Sequence, residues 1–266
     1  MTEAIAEHYS FGGLRARIER GLADSGEPAT VANLGAVDEF HLGGRPATAH
    51  LVDQLHLGPD HHVLDLGSGL GGLARFIAET TGARVTGVDL TAEYVEVARW
   101  LTGLVGLDNR VSFEHGSAAD PPAGQYDAAT MLHVGMNIAD KRDVFARVRQ
   151  QLKPAAQFAI YDIMATGADE PQFPCPWAAS PATSFLETAE AYADHLIAAG
   201  FSIDAVEDRS DAARAALTQL ASSATGGPPP LGLHLVMGPS TPTKISNMRD
   251  ALIAGVIAPT EILATA

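Results

Sequence analysis

Apolar residues follow two alternating spacings along the chain from about residue 61 onward. Short apolar runs that are typical of buried strands lie at residues 62–66, 84–88, 126–132 and 157–163, and residues 110–114 alternate between apolar and polar, which also predicts a strand. Apolar residues recur every three or four positions between these runs, which predicts helices over 72–81, 91–105 and 140–152. Strands of this kind that alternate with helices indicate a parallel sheet with helices on both faces.

The pattern changes after residue 163. A stretch over 165–187 contains four prolines and no periodicity, and we expect it to be a lid loop inserted over a ligand site. Further elements are predicted as a helix over 189–199, strands over 201–206 and 231–237, and an amphipathic helix through residues 245–256. We expect the last two strands to pair antiparallel, because no ordinary crossover separates them.

The segment before the first strand is different in character, with helices predicted over 2–23 and 46–55. The chain is therefore expected to be one α/β domain of the doubly wound, Rossmann-like kind. Residues 1–57 would supply cap helices, and residues 58–266 would form the ligand-binding part.

Composition narrows the functional classes. The chain has 46% hydrophobic residues and a net charge of −15, which favours a globular protein and argues against nucleic acid as a partner. Its single cysteine, Cys175, excludes an internal disulfide and a cysteine-rich metal cluster, and no metal-ligand motif is found. We recognise neither a signal peptide nor a membrane segment, so we expect a cytoplasmic location and no membrane partner. A homodimer is compatible with the sequence.

The chemistry is concentrated where the first strand ends in Asp65-Leu66-Gly67-Ser68-Gly69-Leu70-Gly71-Gly72. Two motifs fit this turn. Gly67, Gly69 and Gly72 match the dinucleotide fingerprint, whereas Asp65 followed by Gly67, Gly69 and Gly71 matches the turn of S-adenosylmethionine binders. A carboxylate at Asp65 would repel a pyrophosphate at the helix N-terminus but would suit a ligand with ammonium and sulfonium charges. Asp89, which ends the second strand, would serve the ribose of either ligand.

At this point the sequence resembles the class I S-adenosylmethionine-dependent methyltransferases, in particular the small-molecule branch labelled sarcosine/dimethylglycine methyltransferase-like. The segments that carry the resemblance are the glycine turn and residues 85–91, 116–120, 132–141, 176–178 and 183–185. The family implies a seven-stranded sheet, mostly parallel with an antiparallel end. It also implies a cofactor site for S-adenosyl-L-methionine, with S-adenosyl-L-homocysteine as product. The residues that it assigns to this site are Asp65, Gly67, Ser68, Gly69, Gly71, Asp89, Leu90, Ser117, Ala118 and Leu132.

Two positions depart from the family pattern. Ser117 stands where many relatives have an acidic residue for the adenine amine. Pro154-Ala155-Ala156 replaces the usual Pro-Gly-Gly before the fifth strand. Because alanine disfavours a positive φ, we expect this turn to be remodelled or mildly strained.

Catalytic candidates follow from what methyl transfer needs, which is alignment of the reacting atoms and removal of a proton where the acceptor has one. His133, just past the fourth strand, is the candidate general base, and the alternative is that it only shapes the pocket. Candidate substrate contacts are His41, Arg45, Asn137, Asp162 and Trp177.

The sequence thus predicts methylation of a small molecule at an amine, hydroxyl or activated carbon. Two alternatives stay open. One is an NAD(P)-dependent oxidoreductase that uses the same glycine turn. The other is a protein that binds S-adenosylmethionine without transferring its methyl group.

Overall fold

Seven strands form one sheet in the computed structural model, which describes residues 5, 8, 9, 12–167, 169–223 and 227–266. The strands are β1 (His62–Leu66), β2 (Arg84–Asp89), β3 (Val111–His115), β4 (Tyr126–Leu132), β5 (Leu152–Ala165), β6 (Ser202–Asp208) and β7 (Ile257–Thr265). Their order across the sheet is β3-β2-β1-β4-β5-β7-β6. The first five strands pair parallel, and β7 pairs antiparallel with both β5 and β6. The predicted doubly wound fold with an antiparallel end is confirmed.

Helices cover both faces of this sheet. They are α1 (Leu14–Ser25), α2 (Val31–Asp38), α3 (Gly44–Gln54), α4 (Gly72–Thr81), α5 (Ala92–Leu104), α6 (Lys141–Gln151), α7 (Ala189–Ala198), α8 (Ser210–Ser223), α9 (His234–Met237) and α10 (Thr241–Ile253). Three helix starts have a side-chain cap: Thr30, Asp140 and Thr188 each accept a hydrogen bond from the backbone N–H three residues on. In the described part of the chain, no helix combines the length and the apolar character needed to cross a bilayer.

The carboxyl ends of the parallel strands form the ligand edge of the sheet, and the order of the strands reverses between β1 and β4, which pair parallel to each other. The leading helices lie over this edge, since Leu14 of α1 and Leu34 of α2 share a buried cluster with Leu70 of the glycine turn and Tyr94 of α5. The switch in strand order therefore creates a crevice that the N-terminal helices cover.

Three predicted elements need correction. The apolar run 231–237 is a turn followed by the short helix α9, because Leu231, Val236 and Met237 are buried by other helices rather than by a neighbouring strand. The seventh strand is instead β7, and helix α8, which sequence reasoning missed, follows β6. The helix predicted over 2–23 is interrupted at Gly12 and Gly13, which adopt positive φ angles of 65° and 66°: residues 5, 8 and 9 are helical, and α1 begins at Leu14. The rest of the helix predicted over 2–23 lies largely outside the described residues.

The turn with Pro154-Ala155-Ala156 bears out the expected strain. Ala155 has a φ of 61°, a left-handed conformation that glycine adopts more easily. The register between β4 and β5 shifts beside it, between the pair Tyr126–Leu152 and the pair Ala128–Gln157.

Candidate active site

The glycine turn joins β1 to α4 at the carboxyl edge of the sheet. Gly67, Gly69 and Gly71 all have positive φ, at 67°, 53° and 82°. A Cβ atom at Gly67 would lie 2.2 Å from Val134 and one at Gly71 would lie 2.4 Å from Phe113, so both positions leave no room for a side chain. A Cβ at Gly69 would meet nothing within 4 Å. The backbone at Gly69 therefore faces open space in which a ligand can approach it.

Asp89, at the end of β2, connects this turn to the neighbouring strand. Its Oδ2 accepts a hydrogen bond from the Gly69 N–H at 2.8 Å, and its Oδ1 accepts one from the Thr91 N–H at 2.8 Å. Burial raises the pKa of Asp89, while these two backbone donors oppose the rise. A carboxylate has about four acceptor positions, so Asp89 retains capacity for two ligand hydroxyls.

Asp65 is buried at 2% exposure and is only partly satisfied. Its Oδ1 accepts a hydrogen bond from the Thr130 hydroxyl at 2.8 Å, whereas its Oδ2 is buried without a hydrogen-bond partner. Burial raises the pKa of Asp65 to about 7, and the charge of Asp89 adds to the rise. A buried carboxylate oxygen without a donor is costly, and a cationic ligand group would satisfy it.

Both carboxylates line a cavity of about 340 Å³ beside the glycine turn. The predicted cofactor residues that line this cavity are Asp65, Gly67, Ser68, Gly69, Asp89, Leu90, Ser117, Ala118 and Leu132. Gly71 is the exception. It precedes the first residue of α4, its missing side chain faces Phe113 and Arg75, and its role is to make the turn rather than to line the cavity.

The predicted substrate contacts divide into two groups. His41, Asn137 and Trp177 line the cavity, as does the candidate base His133. Arg45 and Asp162 do not, and this corrects their predicted substrate-binding role.

The side chains of Arg45 and Asp162 are both hydrogen-bonded to other groups of the protein. The Arg45 guanidinium donates to the Val31 carbonyl at 2.9 Å and pairs with Glu39 at 2.9 Å. Asp162 is fully buried and accepts hydrogen bonds from the Tyr192 hydroxyl at 2.8 Å and the Met136 N–H at 3.1 Å. Asp162 thus holds the short 3-10 helix Gly135–Asn137 in place from behind the cavity.

His133 has an unusual environment. Its φ is 54°, and its backbone N–H donates to the Tyr161 carbonyl at 2.7 Å. The imidazole packs against the rings of both His41 and Tyr161, with ring centroids 5.8 Å and 5.2 Å away. Its Nε2 is buried without a hydrogen-bond partner. Burial lowers the pKa of His133 well below 6.5, and the nearby His41 lowers it further, so the ring is neutral at physiological pH.

His41 is held more firmly than His133. Its Nε2 lies 3.0 Å from the Thr48 hydroxyl and 3.3 Å from Glu39 Oε2. Burial lowers the pKa of His41 to about 4. His41 therefore contributes a fixed, neutral imidazole to the cavity wall.

The segment 165–187 is a fixed wall in this structure. The Asn137 side-chain amide donates to the carbonyls of Trp177 at 2.8 Å and Thr183 at 3.2 Å. The Lys141 ammonium donates to the Phe185 carbonyl at 2.6 Å. Trp177 is 1% exposed, and its indole N–H donates to Ser184 at 3.0 Å. Asn137 therefore anchors this wall as well as lining the cavity.

Sequence reasoning missed several residues that build the site. Tyr9 donates its hydroxyl to Asn137 at 2.9 Å, and Thr130 orients Asp65. The sequence did contain a signal for Lys141. A lysine in the first turn of a helix interacts unfavourably with the helix dipole, so its presence there suggests that the ammonium has another partner. Its ammonium is buried against the Ile138 carbonyl and pairs with Glu187 at 3.5 Å.

Substituting Asn137→Ala tests this anchoring. The variant would lose two hydrogen bonds to the wall and the one from the Tyr9 hydroxyl, which would keep only its longer bond of 3.4 Å to the Trp177 carbonyl, so we expect a loss of about 1–3 kcal/mol in unfolding free energy. Urea denaturation measures the loss, and amide exchange should become faster in residues 176–185. Asn33→Ala, which removes an exposed donor to Pro28, is the matched control and should leave that exchange unchanged. Equal exchange in both variants would contradict the anchoring role.

A group of possible metal ligands lies on another part of the sheet. His50, Glu207 and Glu261 place ligand atoms within 4.8 Å of one another. The Arg209 guanidinium donates into this group, at 3.0 Å to His50 and 2.5 Å to Glu207. Because a cation already fills the centre, these residues form an ion-pair network rather than a metal centre.

Comparison with known proteins places the site in a family. Residues 63–155 match the family model described as a methyltransferase domain. The erythromycin 3''-O-methyltransferase of Saccharopolyspora erythraea is 34% identical over 168 residues, which cover 59% of this chain and 55% of that protein. The chain spans about half the length of such curated relatives.

Solved structures show the same fold. Geranyl diphosphate C-methyltransferase from Streptomyces coelicolor A3(2) superposes with a TM-score of 0.73 at 18% identity, covering 99% of this chain and 97% of that one. The [4+2]-cyclase SpnF superposes with a TM-score of 0.65 at 22% identity, covering 83% and 80%. Residues 63–155 contain β1 to β4 and the glycine turn, so the matched segment supplies the part of the cavity wall that holds Asp65, Gly69 and Asp89. The chain therefore contains a class I S-adenosylmethionine-dependent methyltransferase domain.

Proposed function

We propose that this protein transfers the methyl group of S-adenosylmethionine to a small molecule. The observation that carries the proposal is the unpartnered Oδ2 of Asp65, buried in a cavity that also contains Asp89 and the open backbone of Gly69. A dinucleotide would bring a pyrophosphate to this turn, where Asp65 would repel it. A net charge of −15 supports the further expectation of an enzyme without a nucleic-acid partner, and the single cysteine supports a cytoplasmic location.

The residues at the turn fit the parts of this cofactor. Asp65 would hold the ammonium group, and Asp89 would accept hydrogen bonds from the two ribose hydroxyls. Leu90, Ser117 and Ala118 line the cavity on the side of β2 and β3, where an adenine ring would lie. The cofactor supplies a methyl group on a positively charged sulfur, which is already activated for displacement.

The chain's own residues have three tasks in such a reaction. The walls around the cavity fix the acceptor in line with the methyl group. Within the segment 165–187, the buried residues Pro176 and Trp177 line the cavity and exclude water from the reacting atoms. His133, neutral and with an unused ring nitrogen, removes a proton from an acceptor that has one to lose.

The fold alone does not separate methyl transfer from other uses of the cofactor, because a [4+2]-cyclase shares it. The readout that separates them is S-adenosylhomocysteine. A methyltransferase forms one molecule of it per product, whereas a protein that only retains the cofactor forms none.

Calorimetric titration tests the cofactor assignment and includes a pH prediction. Asp65 has a pKa of about 7 in the free protein, and an ammonium partner favours its ionised form. Binding therefore releases a proton below pH 7, and affinity for S-adenosylhomocysteine should fall by up to about tenfold per pH unit as the pH drops from 7 towards 5.5.

Asp65→Asn should bind the cofactor more weakly at pH 7.5 and should lose most of this pH dependence. Asp120→Asn, at an exposed position on the same edge of the sheet, is the control and should keep it. Tight binding of NAD with no binding of S-adenosylhomocysteine would overturn the proposal.

A further inference from the structure

The part of the cavity beyond the proposed cofactor site has a distinctive chemistry. Its walls include Phe40, Met136, Trp177, Val236 and Met248, which are apolar, together with the imidazoles of His41 and His133. Trp177, Met136 and Met248 belong to one buried cluster with Leu42. The acceptor would therefore be held mainly through apolar contact.

The charged groups that line the whole cavity are of one sign. Six carboxyl groups line it, and they are listed here together: Asp38, Glu39, Asp65, Asp89, Asp140 and Asp143. Among the described residues, no lysine or arginine does so. The stretches outside the described residues add none, since 1–4, 6–7, 10–11, 168 and 224–226 contain neither lysine nor arginine in the sequence.

Three buried cationic side chains, Arg75, Lys141 and Lys244, are hydrogen-bonded to other groups of the protein. Arg75 is fully buried and donates to Asp38 at 2.5 Å and to the Leu70 carbonyl at 2.7 Å. Lys141 is bound to the carbonyls of Ile138 and Phe185, and Lys244 to that of Met237 at 3.4 Å. These bonds place each positive charge behind the cavity wall.

The two histidines do not compensate for the missing cations. Burial lowers the pKa of His41 to about 4 and that of His133 well below 6.5. Near pH 7 neither ring carries a charge that could pair with an anion. A phosphate or carboxylate placed here would lose its hydration without gaining a lysine or arginine partner.

We propose that the methyl acceptor is an apolar molecule without a phosphate, sulfate or carboxylate group, either uncharged or cationic. This inference rests on the proposed methyltransferase function, and it sets this site apart from one that binds a diphosphate ester or an amino acid. The class includes hydroxylated aromatic, terpenoid and polyketide-like compounds and amines with a large apolar body.

Two small probes that differ in one group test the proposal. Binding of 2-naphthol and of naphthalene-2-sulfonate is measured by calorimetry at pH 7.5 on protein saturated with S-adenosylhomocysteine. We expect naphthol to bind and the sulfonate to bind at least about tenfold more weakly. Sulfonate binding as tight as naphthol binding, or no binding of naphthol, would overturn the proposal.

Variants of Met248 test whether the probes bind in the cavity, because a lysine at this position would add a positive charge to its wall. Met248 lines the cavity and is 5% exposed. Met248→Lys should raise the affinity for the sulfonate, whereas Met248→Gln, of similar length and uncharged, should not. If sulfonate affinity is the same in the two variants, the probes bind elsewhere and the inference fails.

A separate measurement keeps the two proposals apart. S-adenosylhomocysteine binding is titrated first in the wild type and in each Met248 variant, and it also reports that the variant is folded. Failure of that titration in the wild type counts against the cofactor assignment. Normal cofactor binding with the wrong probe preference counts against the acceptor class alone.

Discussion

Replacing Asp89 with alanine is expected to weaken cofactor binding by about 10²–10⁴-fold. Hydrogen bonds to a charged group contribute about 1.5–3 kcal/mol each, and two ribose hydroxyls would lose their shared acceptor. A second effect acts in the same direction. The Gly69 and Thr91 N–H groups, each 2.8 Å from Asp89 in the native protein, would lose the acceptor that sets the shape of the turn.

Calorimetric titration with S-adenosylhomocysteine measures this loss. Asp120→Ala removes the same charge at an exposed position and serves as the control, with an expected change below about threefold. Asp89→Glu keeps the charge but displaces it by one methylene, and we expect an intermediate affinity. An Asp89→Ala dissociation constant equal to that of the control would exclude Asp89 from the cofactor site.

The sequence predicted the half of the molecule that local patterns determine. Strands β1, β2, β4 and the second half of β5 are largely buried and apolar, β3 alternates between buried and exposed residues, and the glycine turn fits neither a helix nor a strand. Asp65 and Asp89 could be placed because each ends a strand, and parallel strands bring their carboxyl ends to one edge of the sheet. Local pattern therefore sufficed for the proposed cofactor site.

The C-terminal strand could not be predicted in the same way. Residues 257–265 contain Pro259 and Glu261, which both argue against a buried strand. In the structure Glu261 is 5% exposed and accepts a hydrogen bond from Gln54, a residue 207 positions away. A contact between residues so far apart along the chain cannot be predicted from the local pattern. The opposite error occurs at 231–237, where the apolar run has the pattern of a strand but no strand pairs with it.

The substrate side of the cavity shows the same limit. Arg45 was a reasonable contact for an acidic ligand until its pairing with Glu39 was visible, and Asp162 faces Tyr192 rather than the cavity. Each side chain was assigned to the correct edge of the sheet but to the wrong partner. The direction of a side chain depends on long-range contacts, which residue type and position along a strand do not specify.

Substitution of His133 has the largest expected effect on catalysis. If His133 removes a proton from the acceptor, His133→Ala should lower the turnover number by about 10²–10⁴-fold and leave S-adenosylhomocysteine affinity nearly unchanged. The geometry supports this role through the buried Nε2 without a hydrogen-bond partner and the position of the ring in the cavity wall.

The structure gives His133 a pH profile that differs from that of an ordinary histidine. An ordinary histidine would give a rise in rate near pH 6.5, but burial lowers the pKa of His133 well below that value. A base is active in its deprotonated form, so His133 is already competent at pH 6.5, where an ordinary histidine is half protonated. We therefore expect its contribution to the rate to be constant between pH 6.5 and 8, and to fall only in more acidic solution.

The backbone at His133 requires two controls. Its φ of 54° is left-handed, so alanine introduces strain as well as removing the ring. Asparagine tolerates this conformation, and His133→Asn should lose activity to the same extent as the alanine variant while it keeps more of the stability. His56→Ala replaces another left-handed histidine, with a φ of 45°, at an exposed site, and it should keep full activity.

Added imidazole then separates a base from a residue that only shapes the pocket. The cavity left by His133→Ala can admit imidazole, which would restore proton removal and raise the rate of S-adenosylhomocysteine formation in proportion to its concentration. If His133 only shapes the pocket, substitution changes the Michaelis constant, and imidazole does not raise the turnover number. The general-base assignment is falsified if both variants keep the wild-type turnover number, because a base in contact with the acceptor cannot be removed without a cost in rate.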